Sequence, residues 1–366
     1  MSDSNSFQWE MSRDDLVKII DKTEGLDRRA MHDCRGQWHN LCKPLDSLGY
    51  VEDLIVQLAG IQRSALPVLD RSVVVVFCAD NGVVAEGVTQ TTQEVTGIVA
   101  RNMVKGLTTI NAFARETNTD VFPVDVGIAD FPSEKGVFDA KIMPQGTHNF
   151  AIEPAMSERE ALAAMAVGID RAKWAKDQGY HICVGGEMGI GNTTTSAAVL
   201  SCLLNEDPAD TTGRGAGLDS TRLKHKIRVI RSALAELKPD PSDPIDVLAK
   251  VGGLDIAALT GFYIGCARYR IPFILDGVIS LTAAAIGLSI NPMLKYYMIA
   301  SNAPLEPGAQ YALRFLEVKG ILDLDLANGE GTAALLALPI LRMGLAAYHE
   351  VATFHAGGVE AYQSFN

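Results

Sequence analysis

The chain has 366 residues, 48% hydrophobic and 21% charged, a balance that fits a globular protein with a sizeable core and excludes a disordered one. A formal net charge of −12 argues against a nucleic-acid backbone or an anionic membrane as partner. The longest apolar runs are broken by Gly, Asp or Arg before they reach the length of a membrane span.

The first residues, MSDSNSFQWEMSRDD, are polar and acidic without a positive n-region or an apolar h-region, so a cytoplasmic protein is expected. Residues 8–66 read as three helices, DDLVKIIDKTEG, HDCRGQWHNLCKPL and YVEDLIVQLAGIQRSAL, with apolar positions at helical spacing. From residue 72 the pattern changes to short aliphatic runs that end in small or acidic residues. They are SVVVVFCADNG, DVFPVDVGI, HICVGGE, IPFILDG, KYYMIAS and GILDLDLANGEG. Helical segments such as EVTGIVARNMVKGLTTINAFARET and TRLKHKIRVIRSALAEL lie between them. Apolar strands alternating with helices predict an α/β fold, a parallel sheet covered by helices on both faces. The last stretch, AALLALPILRMGLAAYHEVATFHAGGVEAY, reads as helical and is expected to pack on the N-terminal helices. Six cysteines lie scattered among apolar neighbours with no C-x-x-C pair, which suits buried thiols better than disulfides or zinc. Seven histidines lack metal-ligand spacing, so catalytic zinc is not expected.

In such a sheet, ligands bind beyond the carboxyl ends of the strands. Those ends are acidic here: Asp80, Asp125, Glu187, Asp276 and Glu330, all beside or near glycines. Residues 186–193 fit the spacing G-x-x-x-x-G-x-T, yet Asn192 stands where a triphosphate loop needs lysine. A loop that leads into a helix offers N–H groups and a dipole to a single phosphate. TTGRGAGLDS and Lys226 are further phosphate candidates; on its own Lys226 reads as a solvated helix cation. Carboxylates around an anchored phosphate suit reaction at a sugar's anomeric carbon, where positive charge develops. The same residues could hold Mg²⁺ for phosphoryl transfer, and the sequence leaves both readings open.

The stretches GGEMGIGNTTTSAA, IDVLAKVGGLDIAALTG, ILDGVISLTAAA, NGEGTAALLALPI, CADNGVVAEGV and KPLDSLGYVEDLIVQLAGIQ resemble the nicotinate-nucleotide–dimethylbenzimidazole phosphoribosyltransferases, from about residue 40 to 350. The resemblance implies a Rossmann-like α/β domain over 71–339 and a small helical domain formed from both termini, 1–70 and 340–366. It also implies a homodimer without metal or cofactor. The reaction it implies moves phosphoribose from nicotinate mononucleotide to an aromatic acceptor base, giving the α-ribotide used in cobalamin assembly. By motif, Glu330 resembles the base that deprotonates the attacking nitrogen, and Glu187 a second active-site carboxylate. Asp255 and Asp276 resemble acidic positions around the cationic sugar. Gly189, Asn192, Thr193, Gly215, Lys226, Asn328 and Gly329 fall in segments similar to phosphate and nicotinate contacts.

Two departures touch the acceptor. Thr91 and Val99 stand where familiar members carry serine and glutamine, and a Ser-His pair reads Ser301-Asn302. The implied acceptor pocket therefore contains Thr91, Val99 and Ser301, and its base could be a benzimidazole, a purine or a phenol. Phenol-using relatives with two different subunits leave a heterodimer as the alternative. A catalytically silent partner subunit is a further rival, against which the retention of Glu187 and Glu330 argues.

Overall fold

The computed structural model describes residues 9–362; the outermost ends of the expected terminal units lie outside the described residues. Six strands form one parallel sheet: β1 (Ser72–Ala79), β2 (Thr119–Gly127), β3 (Phe138–Asp139), β4 (Ile182–Met188), β5 (Phe273–Leu275) and β6 (Met298–Ala300). Their order is β3-β2-β1-β4-β5-β6. This is the doubly wound order, whose direction of winding reverses between β1 and β4.

All eight residues of β1 are buried because helices cover both faces of this central strand. The strand's alternation divides the core in two. Val73, Val75 and Phe77 join the helices Glu158–Asp177 and Leu254–Arg268, while Val74, Val76 and Cys78 join Arg28–Asn40, Tyr50–Gln62 and Thr332–Glu350. The first helix pair meets backbone to backbone. A Cβ on Gly168 would collide with Ala258 O, and one on Gly261 with Met165 O.

The two ends of the chain meet on the second face. The rings of Trp38 and Tyr348 pack at a tilt of 57° with centroids 4.9 Å apart, Tyr348 Oη donates to Ala65 O at 2.7 Å, and Cys42 N donates to Ala352 O at 2.8 Å. The helix Thr332–Glu350 runs unbroken through Pro339, so no loop marks position 339/340. By length and composition it is also long and apolar enough to cross a membrane, contrary to the expectation from the broken apolar runs. Its apolar face is instead part of the second core.

Three further expectations differ. GILDLDLANGEG is not a strand: Leu322 alone bridges to Asn302 beside β6, and Leu324 is 56% exposed. Its Leu/Asp alternation mimics a half-buried strand, yet only its first residues reach the sheet edge, through Ile321 N to Ala300 O and Leu322 N to Ser301 O. The segment 94–117 is two helices, Glu94–Val104 and Thr109–Glu116, separated at Gly106 with φ +75°. The two-residue β3 carries too short a signal to be read from sequence.

Candidate active site

A cavity of about 290 Å³ opens beyond the carboxyl ends of β4, β5 and β6. Glu187, Gly189, Asn192, Thr193, Gly215, Asp276, Asn328, Gly329 and Glu330 all line it. Met188, Ile190, Val278, Ile279 and Leu326 give it an apolar wall.

The two glutamate motifs touch. A Cβ on Gly186 would stand 2.5 Å from Glu330 O, and one on Gly329 2.8 Å from Glu187 Oε1. Glycine at both positions therefore allows the loop from 329 to 331 to lie directly on the end of β4. Glu330 itself adopts φ +61° between two glycines that also have positive φ, a conformation costly for a side-chain residue and a mark of functional sites. Its Oε2 is buried with no hydrogen-bond partner. Burial pushes its pKa up, which the Ile110 N–H at the start of the helix Thr109–Glu116 partly counters. A buried carboxylate oxygen with an open lone pair can take a proton.

Asn192, where the phosphate loop lacks its lysine, is a clamp between carboxylates. Its Nδ2 donates to Glu187 Oε2 and, at 3.0 Å, to Asp255 Oδ2. Asp255 is fully buried beneath the cavity and does not line it. Burial, together with Asp255 and Asp276, raises Glu187 to about 8, against the Asn192 hydrogen bond. Burial likewise raises Asp255 to about 6. At neutral pH this keeps Glu187 largely protonated, while Asp255 is mostly ionised.

Asp276 caps the helix that follows Glu330. Its Oδ1 accepts Ala333 N at 2.7 Å and Ala334 N at 3.2 Å, and its Oδ2 accepts Gly331 N at 3.1 Å. Those contacts fix the Glu330 loop to the end of β5 and place an anion at a helix N-terminus. Burial raises its pKa while these backbone N–H groups oppose the rise.

Lys226 is not a surface cation. It is fully buried, and its Nζ donates to Thr193 Oγ1 at 2.8 Å and to Gly213 O at 3.3 Å. Burial lowers it to about 8, and Glu306 opposes that shift. Helical spacing in TRLKHKIRVIR does not reveal that the 213–217 loop covers this face.

The three acceptor residues read from the sequence do not line the cavity. Thr91 is on an exposed loop, Val99 is half-buried against the second core, and Ser301 is buried with its Oγ donating to Asp276 O at 3.3 Å. Of the other acidic strand ends, Asp125 pairs with Lys141 Nζ at 3.2 Å and accepts Gly127 and Ile128 N–H groups, a structural role. Asp80 accepts Ala129 N at 2.9 Å and leaves Oδ1 unpaired. Two cavity residues with polar side chains lie outside the site set expected from sequence: Glu306, and Asn302, whose Oδ1 is buried without a partner. Their position just past β6 is the signal that could have found them. Among the described residues, no group of three or more His, Cys, Asp or Glu is placed to hold a metal ion.

A family model described as "Phosphoribosyltransferase" matches residues 23–359. The nicotinate-nucleotide–dimethylbenzimidazole phosphoribosyltransferase of Clostridium acetobutylicum is 41% identical over 96% of this chain and 99% of that one. The protein of the same name from Acetivibrio thermocellus is 43% identical over 95% of this chain and 99% of that one. Among solved structures, CobT from Thermus thermophilus superposes with a TM-score of 0.87 at 37% identity, covering 91% of this chain and 100% of that one.

Proposed function

The chain belongs to the nicotinate-nucleotide–dimethylbenzimidazole phosphoribosyltransferase family of enzymes, and from that premise we propose that it transfers phosphoribose from nicotinate mononucleotide to dimethylbenzimidazole. The observation that carries the reading is the contact between the Gly186-Glu187 and Gly329-Glu330 motifs on one cavity at the end of the sheet. A ring nitrogen of the acceptor attacks C1′ of the ribose as the bond to nicotinate breaks. The ring's N–H proton passes to Glu330, whose Oε2 is the open acceptor. Glu187 and Asp255, clamped by Asn192, present partial negative charge to the oxocarbenium-like sugar. Asp276 serves by positioning the Glu330 loop. Thr193, Gly215 and the buried Lys226 form the phosphate end, with Gly189, Asn328 and Gly329 beside the ring. The leaving group is a neutral base rather than pyrophosphate, so the loop needs no lysine at 192.

We take the working enzyme to be a cytoplasmic homodimer whose terminal helices form a separate small unit. Light scattering of the purified protein measures the assembly. Incubation with nicotinate mononucleotide and a panel of benzimidazoles, purines and phenols, with products identified by mass, tests the reaction and the acceptor. Failure to release nicotinate with any acceptor overturns the reading. Loss of activity with a chelator would favour the metal-dependent rival instead.

A further inference from the structure

Glu306 is the N-cap residue of the helix Pro307–Leu316, a position from which a carboxylate ordinarily accepts N–H groups of its own first turn. It makes no such bond. Its side chain reaches the 213–215 loop, where Oε1 accepts Gly215 N at 2.8 Å. The carboxylate lies so close to Gly213 that a Cβ there would collide with it. On the same loop, the buried Lys226 Nζ is 3.6 Å from where a Gly215 Cβ would stand. The Gly215 N–H, bonded to Glu306, thus stands beside a buried ammonium that donates to Thr193 Oγ1 and Gly213 O, an anion cradle whose backbone donor a protein carboxylate already holds while it acts on Lys226 through space. Glu306, Thr193 and Gly215 all line the cavity. Arg214, the nearest other cation in sequence, is turned to Leu218 O and Ser220 Oγ.

We propose that Glu306 is a resident counter-anion that fills the phosphate cradle of the free enzyme and is displaced when the donor's phosphate enters. This rests on the reading that the donor's phosphate binds at Gly215 and Lys226. A buried ammonium without an anion is costly, so the carboxylate keeps Lys226 compensated while the site is empty. A phosphate dianion and a carboxylate cannot share one N–H and one ammonium at these distances without strong repulsion. Donor binding therefore includes the work of moving Glu306 away, and its return assists departure of the phosphorylated product.

The test compares wild type with Glu306→Gln, which retains an acceptor for Gly215 N–H and removes the charge. Calorimetry with inorganic phosphate and with nicotinate mononucleotide is expected to show both binding about ten-fold tighter to the variant, with slower product release. Glu306→Ala, checked for folding by thermal melting, should tighten phosphate in the same direction. Phosphate affinity that is unchanged or weaker in both variants overturns the proposal and makes Glu306 a brace for the loop. If neither protein binds nicotinate mononucleotide while phosphate still tightens, the displacement stands and the donor assignment falls.

Discussion

Single side chains decide whether this site can work. Glu330→Gln removes the proton acceptor and leaves the loop intact, so turnover should fall by about 10²–10⁴ with donor binding retained. Near wild-type turnover in a steady-state assay would take Glu330 out of the reaction. Lys226→Met keeps the buried volume and deletes the ammonium. Donor affinity should drop about ten-fold or more, as expected for a lost charge-assisted hydrogen bond, and melting should fall because Thr193 Oγ1, Gly213 O and the Glu306 carboxylate lose their cation. Equal donor affinity by calorimetry would confine Lys226 to packing. The sequence displays the glutamates through their glycine neighbours, since a backbone that lies on another chain segment needs a missing Cβ. Asn192 and Lys226 are legible there as positions and not as roles. The partners of Asn192 come from residues 187 and 255, and the cover of Lys226 from a loop with no periodicity.

At the scale of elements, the carboxyl end of β5 holds the helix Thr332–Glu350 by three hydrogen bonds to Asp276. Asp276→Asn weakens that cap and should cost about 0.5–2 kcal/mol of stability, with a larger fall in kcat than in donor affinity because the Glu330 loop shifts. A variant with normal kcat and lowered melting would reduce Asp276 to a cap alone. The crossing of Glu158–Asp177 with Leu254–Arg268 is set by Gly168 and Gly261. Gly261→Ala should destabilise by about 1–3 kcal/mol through overpacking, measured by denaturant titration. Strand β1 is readable because burial on both faces leaves an uninterrupted apolar run, and β2 and β4 because short apolar runs end in acidic or glycine residues. The 320–331 segment misleads because alternation reports only which residues could be half-buried. Pairing also requires a free strand edge along the whole run, and β6 has three residues.

For the molecule as a whole, the buried carboxylates tie stability to pH. Glu187 near 8 and Asp255 and Asp80 near 6 lie above ordinary carboxylate values, chiefly through burial. Between about pH 4 and 8 the folded state holds protons that the unfolded chain has released, so these groups' stabilisation is full below pH 4 and lost as pH rises through 8. Glu187→Gln mimics the protonated form. Its melting temperature should match wild type near pH 4 and exceed it increasingly toward pH 8; a constant difference across that range would refute the assignment. The α/β class is legible from alternating elements, whereas the strand order is not, since local pattern carries no information about which strand β1 joins. Residues 72–79 pair with 119–127 and 182–188, and that choice is made by the packing of the helices between them.

The seam between the ends of the chain bears on synthesis. Trp38 and Cys42 leave the ribosome long before their partners Tyr348 and Ala352 are made. Until then their apolar faces are open to solvent, where incomplete domains are prone to misassociate. A nascent chain stalled at residue 331 should therefore be captured by chaperones and cleaved within 28–62 by added protease, while the released full-length protein resists. The loop nearest the chemistry, around Glu330, would be joined to the sheet only after all six strands have been made.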